Sequence, residues 1–334
     1  MSNPTDGVVF TPLDTANATL EHIKYMATTA NKAMHLPIPS VGDYFAPVRP
    51  GQVAGILAQT SNYKSSLIRM IERRAAAQIL ESDPAGRSVI FHVSTEEDIE
   101  ELGISSLSAS STLKPEELAV GKYKDWDELV KVALHEIGGL PIFRIGLSLT
   151  KESWSYENMY LTSIFRAIEE SKLEVGFDIA GIFIDYLQAL PFDPELRGRA
   201  DQHQRRLQVR TDAYRIREGA THFNCPMWVA LQAKQDLGGA LSNHIQIPGQ
   251  YDIHESSDVA QRFDRIFSIW LPKQTHPVGK TINFGSTKLV VEEDMLFLRV
   301  LKQRGRLPSG RVWICKVNYE TEEIYPDATI FDNN

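Results

Sequence analysis

Cysteine, long hydrophobic runs and excess positive charge are all scarce in this sequence of 334 residues. Its two cysteines, Cys225 and Cys315, lie in apolar runs without metal-site spacing, so we expect buried residues in a reducing compartment. No apolar run is long enough to cross a membrane, and the first residues lack the apolar core of a signal peptide. These absences predict a cytoplasmic protein without a membrane partner.

The net charge of −8 excludes a broadly basic surface. Any contact with nucleic acid must therefore come from a local groove or loop whose charge differs from the average. A hydrophobic content of 43% and a charged content of 23% are typical of a globular protein with a substantial core. The length exceeds one ordinary domain, although a single α/β domain with insertions would use all of it.

The segment from Pro50 to Ala77 has the layout of a phosphate-binding loop. A short apolar strand, Val53 to Leu57, leads through a polar loop to Lys64, Ser65 and a helix. In such loops backbone N–H groups bind phosphates, the lysine reaches the terminal phosphates, and the serine hydroxyl binds Mg²⁺. The predicted nucleotide-binding residues are Ala58, Gln59, Thr60, Ser61, Asn62, Tyr63, Lys64, Ser65 and Ser66.

Both glycines of the pattern G-x-x-x-x-G-K-[ST] are missing from this segment, because Ala58 and Tyr63 take their places. A polar surface loop before a helix is an equally good interpretation of the segment alone. A tyrosine at the second position crowds the phosphates, or requires a positive φ that is costly for a bulky residue. It is tolerated if its ring swings outward and the backbone is right-handed helical. In the helix that follows, we expect Arg69 to point outward.

Carboxylates follow two further predicted strands. The strand from Ser88 to Asp98 ends with Glu96 and Glu97, and the apolar run from Ile179 to Ile184 ends at Asp185. Carboxylates at the carboxyl ends of parallel strands lie where open α/β sheets bind ligands. One of the two glutamates would activate water, and the aspartate would bind Mg²⁺ opposite the Lys-Ser loop. Alternatively, the acids after the first strand begin a helix, and both descriptions can hold.

Two further segments matter for the site and for assembly. Pro226 to Leu231 predicts a buried strand whose last polar residue, Gln232, is placed to sense a γ-phosphate. A helix capped by Asp14 or Thr15 extends to about Ala33, ahead of a proline-rich tether. That helix either packs on another molecule or folds back on its own domain.

The order of these parts resembles the RecA-like ATPase domain of DnaB-type replicative helicases, over roughly Leu36 to Tyr319. The motifs that carry the resemblance are IFIDYLQAL, PMWVALQ, DIHESSDVAQRFDRIFSI and LKQRGRLPSGRVWI. The family usually has alanine at the first position of its phosphate loop, and the VSTEE end of the second strand resembles the KaiC and RadA relatives. No counterpart of the family's primase-binding helical collar is present, so we expect a motor core.

The resemblance implies an α/β fold: a RecA-like P-loop ATPase with a mainly parallel sheet flanked by helices and with C-terminal β-hairpins. Residues 1–45 would form an N-terminal tail, linker helix and tether, and residues 46–334 the ATPase domain. ATP and Mg²⁺ are the implied cofactors. The implied catalytic residues are Glu96, Lys64, Gln232, Lys302 and Arg304, and the metal ligands are Ser65 and Asp185.

Lys302 and Arg304 match residues that act in the neighbouring subunit's nucleotide site, which implies a homo-oligomer, expected to be a hexamer. Their alternative interpretation is an exposed, solvated hairpin end. Single-stranded DNA would be contacted in a central channel by Arg197, Arg199, Lys234, His254, Glu255 and Ser256. His254 stands where the family has arginine, which puts the affinity in doubt.

The expected function is that of an ATP-dependent DNA helicase or translocase, with a loader or replication proteins as further partners in a bacterial plasmid or phage context. The alternative is a nucleotide-gated RecA-like oligomer, such as a recombination mediator or a helicase-derived regulator, with weak or no ATPase.

Overall fold

The computed structural model describes residues 11–111, 113–114, 117–118, 120–121, 125–152, 154–194, 202–235, 245–254, 258–284, 287–304 and 310–331. Its centre is a nine-stranded sheet in the order β11-β10-β9-β6-β1-β5-β4-β2-β3, and β7 and β8 form a separate hairpin. The strands are β1 Val53–Ala58, β2 Ser88–Ser94, β3 Ile142–Ile145, β4 Asp178–Asp185, β5 Met227–Gln232, β6 Arg265–Trp270, β7 Thr281–Phe284, β8 Thr287–Val290, β9 Met295–Gln303, β10 Arg311–Asn318 and β11 Glu323–Phe331.

The described helices precede, connect and flank these strands. They are α1 Pro12–Thr28, α2 Val41–Tyr44, α3 Lys64–Ser82, α4 Ile99–Ser110, α5 Trp126–Glu136, α6 Leu161–Val175, α7 Gln202–His222 and α8 Val259–Arg262. None of the helices in the described part of the chain combines the length and the apolar character needed to cross a bilayer.

The six strands from β6 to β3 in the sheet are parallel, whereas β9, β10 and β11 continue it in antiparallel fashion. This arrangement confirms the predicted mainly parallel sheet with C-terminal hairpins. Parallel strands need helical crossovers, which cover both faces and leave the strands buried on both sides. Strand β1 shows this directly, because Ile56 packs in the core that contains α3 and Leu57 in the core that contains α6 and α7.

Helix α1 begins earlier than expected, because its N-cap is Thr11. The Thr11 hydroxyl accepts from the backbone N–H of Asp14, and the Asp14 carboxylate accepts from the Thr11 N–H at 2.9 Å, which completes a capping box. No residue of α1 is buried, and Leu13, Leu20 and Ile23 are all more than half exposed. The apolar face of α1 therefore does not fold back onto its own domain.

The proline-rich segment after α1 is not the free tether that its composition suggested. Leu36, Ile38, Phe45 and Val48 are all buried in the core beside α3. Prolines exclude long regular elements here, yet the apolar residues between them still pack. The division at residue 45 stays a prediction.

Candidate active site

The carboxyl ends of β1, β2, β4 and β5 meet at one edge of the sheet. Ala58 lies beside Gln232 in the ladder, and Ser94 lies beside Asp185. Ligands bind at this edge in open α/β sheets because the connecting loops converge there. A cavity of about 270 Å³ opens at this edge. Its lining consists of Gln59, Thr60, Ser61, Asn62, Tyr63, Lys64, Ser65, Ser66, Arg69, Glu96, Glu97 and Gln232.

The predicted nucleotide loop forms one wall of this cavity. Asn62 holds the loop, since its carboxamide oxygen accepts from the Leu271 N–H at 2.7 Å and its amide donates to the Thr60 carbonyl at 3.0 Å. Helix α3 begins at Lys64, and the first N–H groups of a helix have no acceptor within it. These donors and the helix dipole favour a bound anion. Among the predicted loop residues only Ala58 does not line the cavity, because it is buried in β1.

Tyr63 adopts the left-handed conformation, with φ 68° and ψ 19°. The alternative of a right-handed backbone is therefore wrong, and the conformation costs about 1–2 kcal/mol for a residue with a Cβ. The ring does swing toward the turn between β10 and β11, where it meets Tyr319 edge to face at 5.8 Å between centroids. Its hydroxyl donates to the Asn318 carbonyl at 3.3 Å. Burial raises the pKa of Tyr63, so the phenol remains a neutral donor.

Lys64 and Asp185 form a buried pair at the centre of the site. The Lys64 Nζ lies 3.9 Å from the Asp185 Oδ1. Burial lowers the pKa of Lys64, and the charges of Asp185 and Glu96 oppose this shift. No donor hydrogen-bonds to Asp185 Oδ1 within the described part of the chain. Buried carboxylate oxygens need partners, and hydrated Mg²⁺ would supply one, with Ser65 on the same cavity.

The two glutamates after β2 have different surroundings. Glu97 accepts from Arg69 Nη1 at 2.5 Å, and burial raises the pKa of Glu97 while Arg69 opposes the shift. Glu96 is exposed and hydrogen-bonds with the Tyr186 hydroxyl. The carboxylate of Asp98 caps α4 by accepting from the Glu101 N–H at 2.8 Å. The acids therefore serve both uses: Asp98 begins a helix and Glu96 faces the cavity.

Arg69 is not the outward-facing residue that helical periodicity predicts, since it is only 6% exposed. Its Nε and Nη2 donate to the buried Glu322 at 3.0 and 2.5 Å, and Arg73 Nη1 donates to the same carboxylate at 2.7 Å. This network joins α3 to the turn before β11. A partner 253 residues away leaves no trace in a local pattern, so the sequence could not reveal it.

Gln232 connects the cavity to the segment that follows β5. Its Nε2 donates to the Thr60 hydroxyl at 3.0 Å, and its N–H donates to the Gln188 carboxamide at 2.9 Å. Gln188, which the sequence analysis did not single out, also donates to the His254 carbonyl at 3.2 Å. Gln59 donates to the Lys234 carbonyl at 3.1 Å. A displacement of the phosphate loop would therefore be felt directly after β5.

The structure describes two of the six residues predicted to contact DNA. Lys234 is exposed, and its Nζ donates to the Tyr251 carbonyl at 3.1 Å. His254 is also exposed, and its N–H donates to the Gln232 carbonyl at 2.8 Å. Both lie at the same sheet edge as the cavity. The other four, Arg197, Arg199, Glu255 and Ser256, lie outside the described residues.

Lys302 and Arg304 do not join the cavity of their own chain. They lie at the opposite edge of the sheet, where Gln303 pairs with Arg265 and Arg265 pairs with Ala54. The strand from Ala54 to Ala58 spans about 13 Å before the phosphate loop begins. Lys302 is not simply solvated, because its Nζ donates to the Ala260 carbonyl at 2.6 Å.

Comparisons with known proteins agree with this geometry. No protein-family model matches the chain, and no curated protein matches it. Among solved structures, an ATPase domain solved on its own matches with a TM-score of 0.66 and 14% identity, over 96% of this chain and all of that one. A DnaB-like replicative helicase, described with its interactions with primase, matches with a TM-score of 0.62 and 13% identity over 83% of this chain.

The chain has the fold of a DnaB-type RecA-like ATPase domain. It spans 59% of the length of the DnaB-like helicase. The fold class that the sequence motifs predict is thereby confirmed.

Proposed function

We propose that this protein is an ATP-dependent DNA helicase or translocase that works as a homo-oligomeric ring on single-stranded DNA. The observation that carries the proposal is the convergence of Lys64, Glu96 and Gln232 on one cavity, on a fold of the DnaB type. The pair of Lys64 and Asp185, 3.9 Å apart, completes the set of groups that phosphoryl transfer needs.

Hydrolysis in this site would use the chain's residues as follows. The loop N–H groups and Lys64 bind the phosphates, and Glu96 takes a proton from a water molecule that attacks the γ-phosphorus. The bond to the β–γ bridging oxygen breaks, and ADP leaves with that oxygen. Ser65 and Asp185 would hold Mg²⁺, which neutralises phosphate charge when bound. Gln232 would respond to the γ-phosphate through the side chain that now donates to Thr60.

The position of Lys302 and Arg304 supports an oligomeric working form, with a hexamer as the expected size. Both lie at the sheet edge away from their own cavity, so they would act at the cavity of a neighbouring copy. An arginine supplied by a neighbour can accelerate phosphoryl transfer by about 10³ to 10⁵. The exposed apolar face of α1, with Leu13, Leu20 and Ile23, would pack on an adjacent copy in the same ring.

Nucleotide state would reach DNA through the contacts after β5. Gln232 and Gln59 connect the phosphate loop to the segment with Lys234 and His254. With Arg197, Arg199, Glu255 and Ser256, these residues would line the path of single-stranded DNA. Binding of this kind weakens steeply with salt, because counterions are released from the phosphates. Replication proteins, including a loader, are proposed partners in a bacterial cytoplasm, with a plasmid or phage gene as the source.

A second candidate is a nucleotide-gated oligomer that binds DNA or protein with little turnover. The left-handed Tyr63 favours it, because a side chain stands where phosphate loops usually have glycine. Both candidates use the same cavity, so the rate of hydrolysis separates them.

The test measures ATP turnover with and without single-stranded DNA, together with particle mass in a non-hydrolysable analogue. We expect stimulated turnover in the wild type and a fall of about 10² to 10⁴ in Glu96→Gln, with ATP binding and assembly retained. Glu97→Gln is the matched control, and it should keep turnover well above that of Glu96→Gln because Glu97 is held by Arg69. A wild type without DNA-stimulated turnover, and no different from Glu96→Gln, would exclude the motor and leave the second candidate.

A further inference from the structure

Tyr186, directly after Asp185, touches two charged groups of the site at once. The Lys64 Nζ lies over its ring, 3.8 Å from the ring centroid. At the other end of the side chain, the hydroxyl hydrogen-bonds with the Glu96 carboxylate. Burial raises the pKa of Tyr186 to about 12, so the hydroxyl stays protonated at neutral pH and acts as the donor. Neither phosphate binding nor metal binding explains these two contacts.

The two contacts solve an electrostatic problem of the site. Lys64 and Glu96 carry opposite charges on one cavity, and Lys64 is largely withdrawn from water. A direct ion pair between them would occupy the ammonium that phosphates need and the carboxylate that water needs. No such pair forms among the residues that the structure describes. Tyr186 instead offers the cation a negative ring face and the anion a neutral donor.

We infer that Tyr186 is a positioning residue, which holds the Lys64 ammonium and the Glu96 carboxylate apart so that each faces the cavity. The contact with Glu96 rests on the proposed function, because it matters only if this carboxylate activates water. The contact with Lys64 requires nothing beyond nucleotide binding. The two halves can therefore be tested separately.

The test compares Tyr186→Phe, which keeps the ring, with Tyr186→Leu, which loses both the ring and the hydroxyl. The readouts are kcat for ATP hydrolysis and Kd for a fluorescent ATP analogue with Mg²⁺. For Tyr186→Phe we expect unchanged affinity and a kcat lowered by about tenfold or more, since a hydrogen bond to a charged group is lost. For Tyr186→Leu we expect the same loss of kcat and, in addition, an affinity weakened by about tenfold.

Tyr325→Leu is the control for removing a half-exposed tyrosine, since Tyr325 lies on β11 and does not line the cavity. It should leave both readouts unchanged. Thermal unfolding of each variant shows whether a loss reflects misfolding. If Tyr186→Leu does not fold, Tyr186→Phe with its split between kcat and Kd still decides the contact with Glu96.

A double variant separates positioning from an independent structural effect. Tyr186→Phe added to Glu96→Gln should lower kcat no further, because the hydroxyl acts through Glu96 alone. Losses that multiply, a Tyr186→Phe kcat equal to wild type, or equal affinities for the Phe and Leu variants would each overturn the corresponding half. A wild type with no turnover would refute the proposed function and the Glu96 half, while the affinities would still decide the Lys64 half.

Discussion

Arg304 Nη1 lies 3.2 Å from Asp264 Oδ1, and the two side chains are 55% and 2% exposed. The buried acid thus presents an arginine at the surface. Asp264 is itself fixed, because its other carboxylate oxygen accepts from the Val53 N–H at 2.9 Å and from the Arg217 guanidinium. Val53 begins the strand that carries the phosphate loop at its far end. Arg304 is therefore rigidly placed away from its own cavity and open to another molecule.

Mixing two inactive variants tests whether Arg304 acts on a neighbour. Lys64→Ala and Arg304→Ala should each hydrolyse ATP very slowly, and an equimolar mixture should recover about a quarter of wild-type turnover, because random pairing joins an intact Lys64 to an intact Arg304 at that frequency. The chain that carries both substitutions, mixed with Lys64→Ala, is the control and should recover nothing. Absence of recovery in the first mixture would show that Arg304 acts within its own chain or not at all.

Tyr63 should be replaceable by glycine without loss of nucleotide binding. Glycine adopts a φ of 68° without strain, and the ring that it removes is directed toward Tyr319 and Asn318. Tyr63→Val should be worse, since a β-branched residue resists the left-handed conformation. The Kd for ATP and the free energy of unfolding of the two variants check this. Tighter or equal binding by the valine variant would contradict it.

Arg69 should stabilise the protein far more than Arg74 does. Arg69→Met leaves the buried Glu322 with Arg73 alone, and we expect a loss of about 3–5 kcal/mol in the free energy of unfolding. Arg74→Met is the matched control, since the same helix presents this arginine to solvent in a pair with Glu323, worth about 0–1 kcal/mol. Urea unfolding of both variants measures the difference, and equal losses would refute the expectation.

Asp212 makes stability fall as pH rises. Burial raises the pKa of Asp212 from 3.8 to about 7. Below pH 4 the folded and unfolded chains both hold this proton, whereas between pH 4 and 7 only the folded chain does, so each step upward costs folding free energy. Asp212→Asn removes the titration, and at pH 8 its free energy of unfolding should exceed that of the wild type by about 2–4 kcal/mol. The gain should vanish near pH 4, and a gain that does not depend on pH would exclude this explanation.

Charge on the apolar face of α1 should prevent assembly without unfolding the protein. Leu20→Lys with Ile23→Lys places two cations on a face that no described residue covers, so the free energy of unfolding should stay within about 0.5 kcal/mol. Ala18→Lys, on the opposite side of the same helix, is the control. Particle mass with a non-hydrolysable ATP analogue is the readout. Rings of unchanged size in the double variant would show that this face has no part in assembly.

Much of this arrangement was predictable from the sequence. The apolar runs before Ala58, Asp185 and Gln232 mark buried parallel strands, and such strands place their carboxyl ends at one edge. Polar residues that follow those runs must therefore meet, which is why the sequence alone predicts that Lys64 and Asp185 share one site. These inferences succeed because hydrophobic periodicity and strand direction are local properties of the chain.

Other features depend on partners that are distant in sequence. The burial of Arg69 needs Glu322, the direction of the Tyr63 ring needs Tyr319, and the choice of Glu96 over Glu97 needs Arg69. Local patterns do not contain these partners. The sequence by itself determined the sheet, the loop and the residues at its edge. Only the tertiary structure decided which charges are paired and which face the cavity, because the free energy of a buried charge depends on what packs around it.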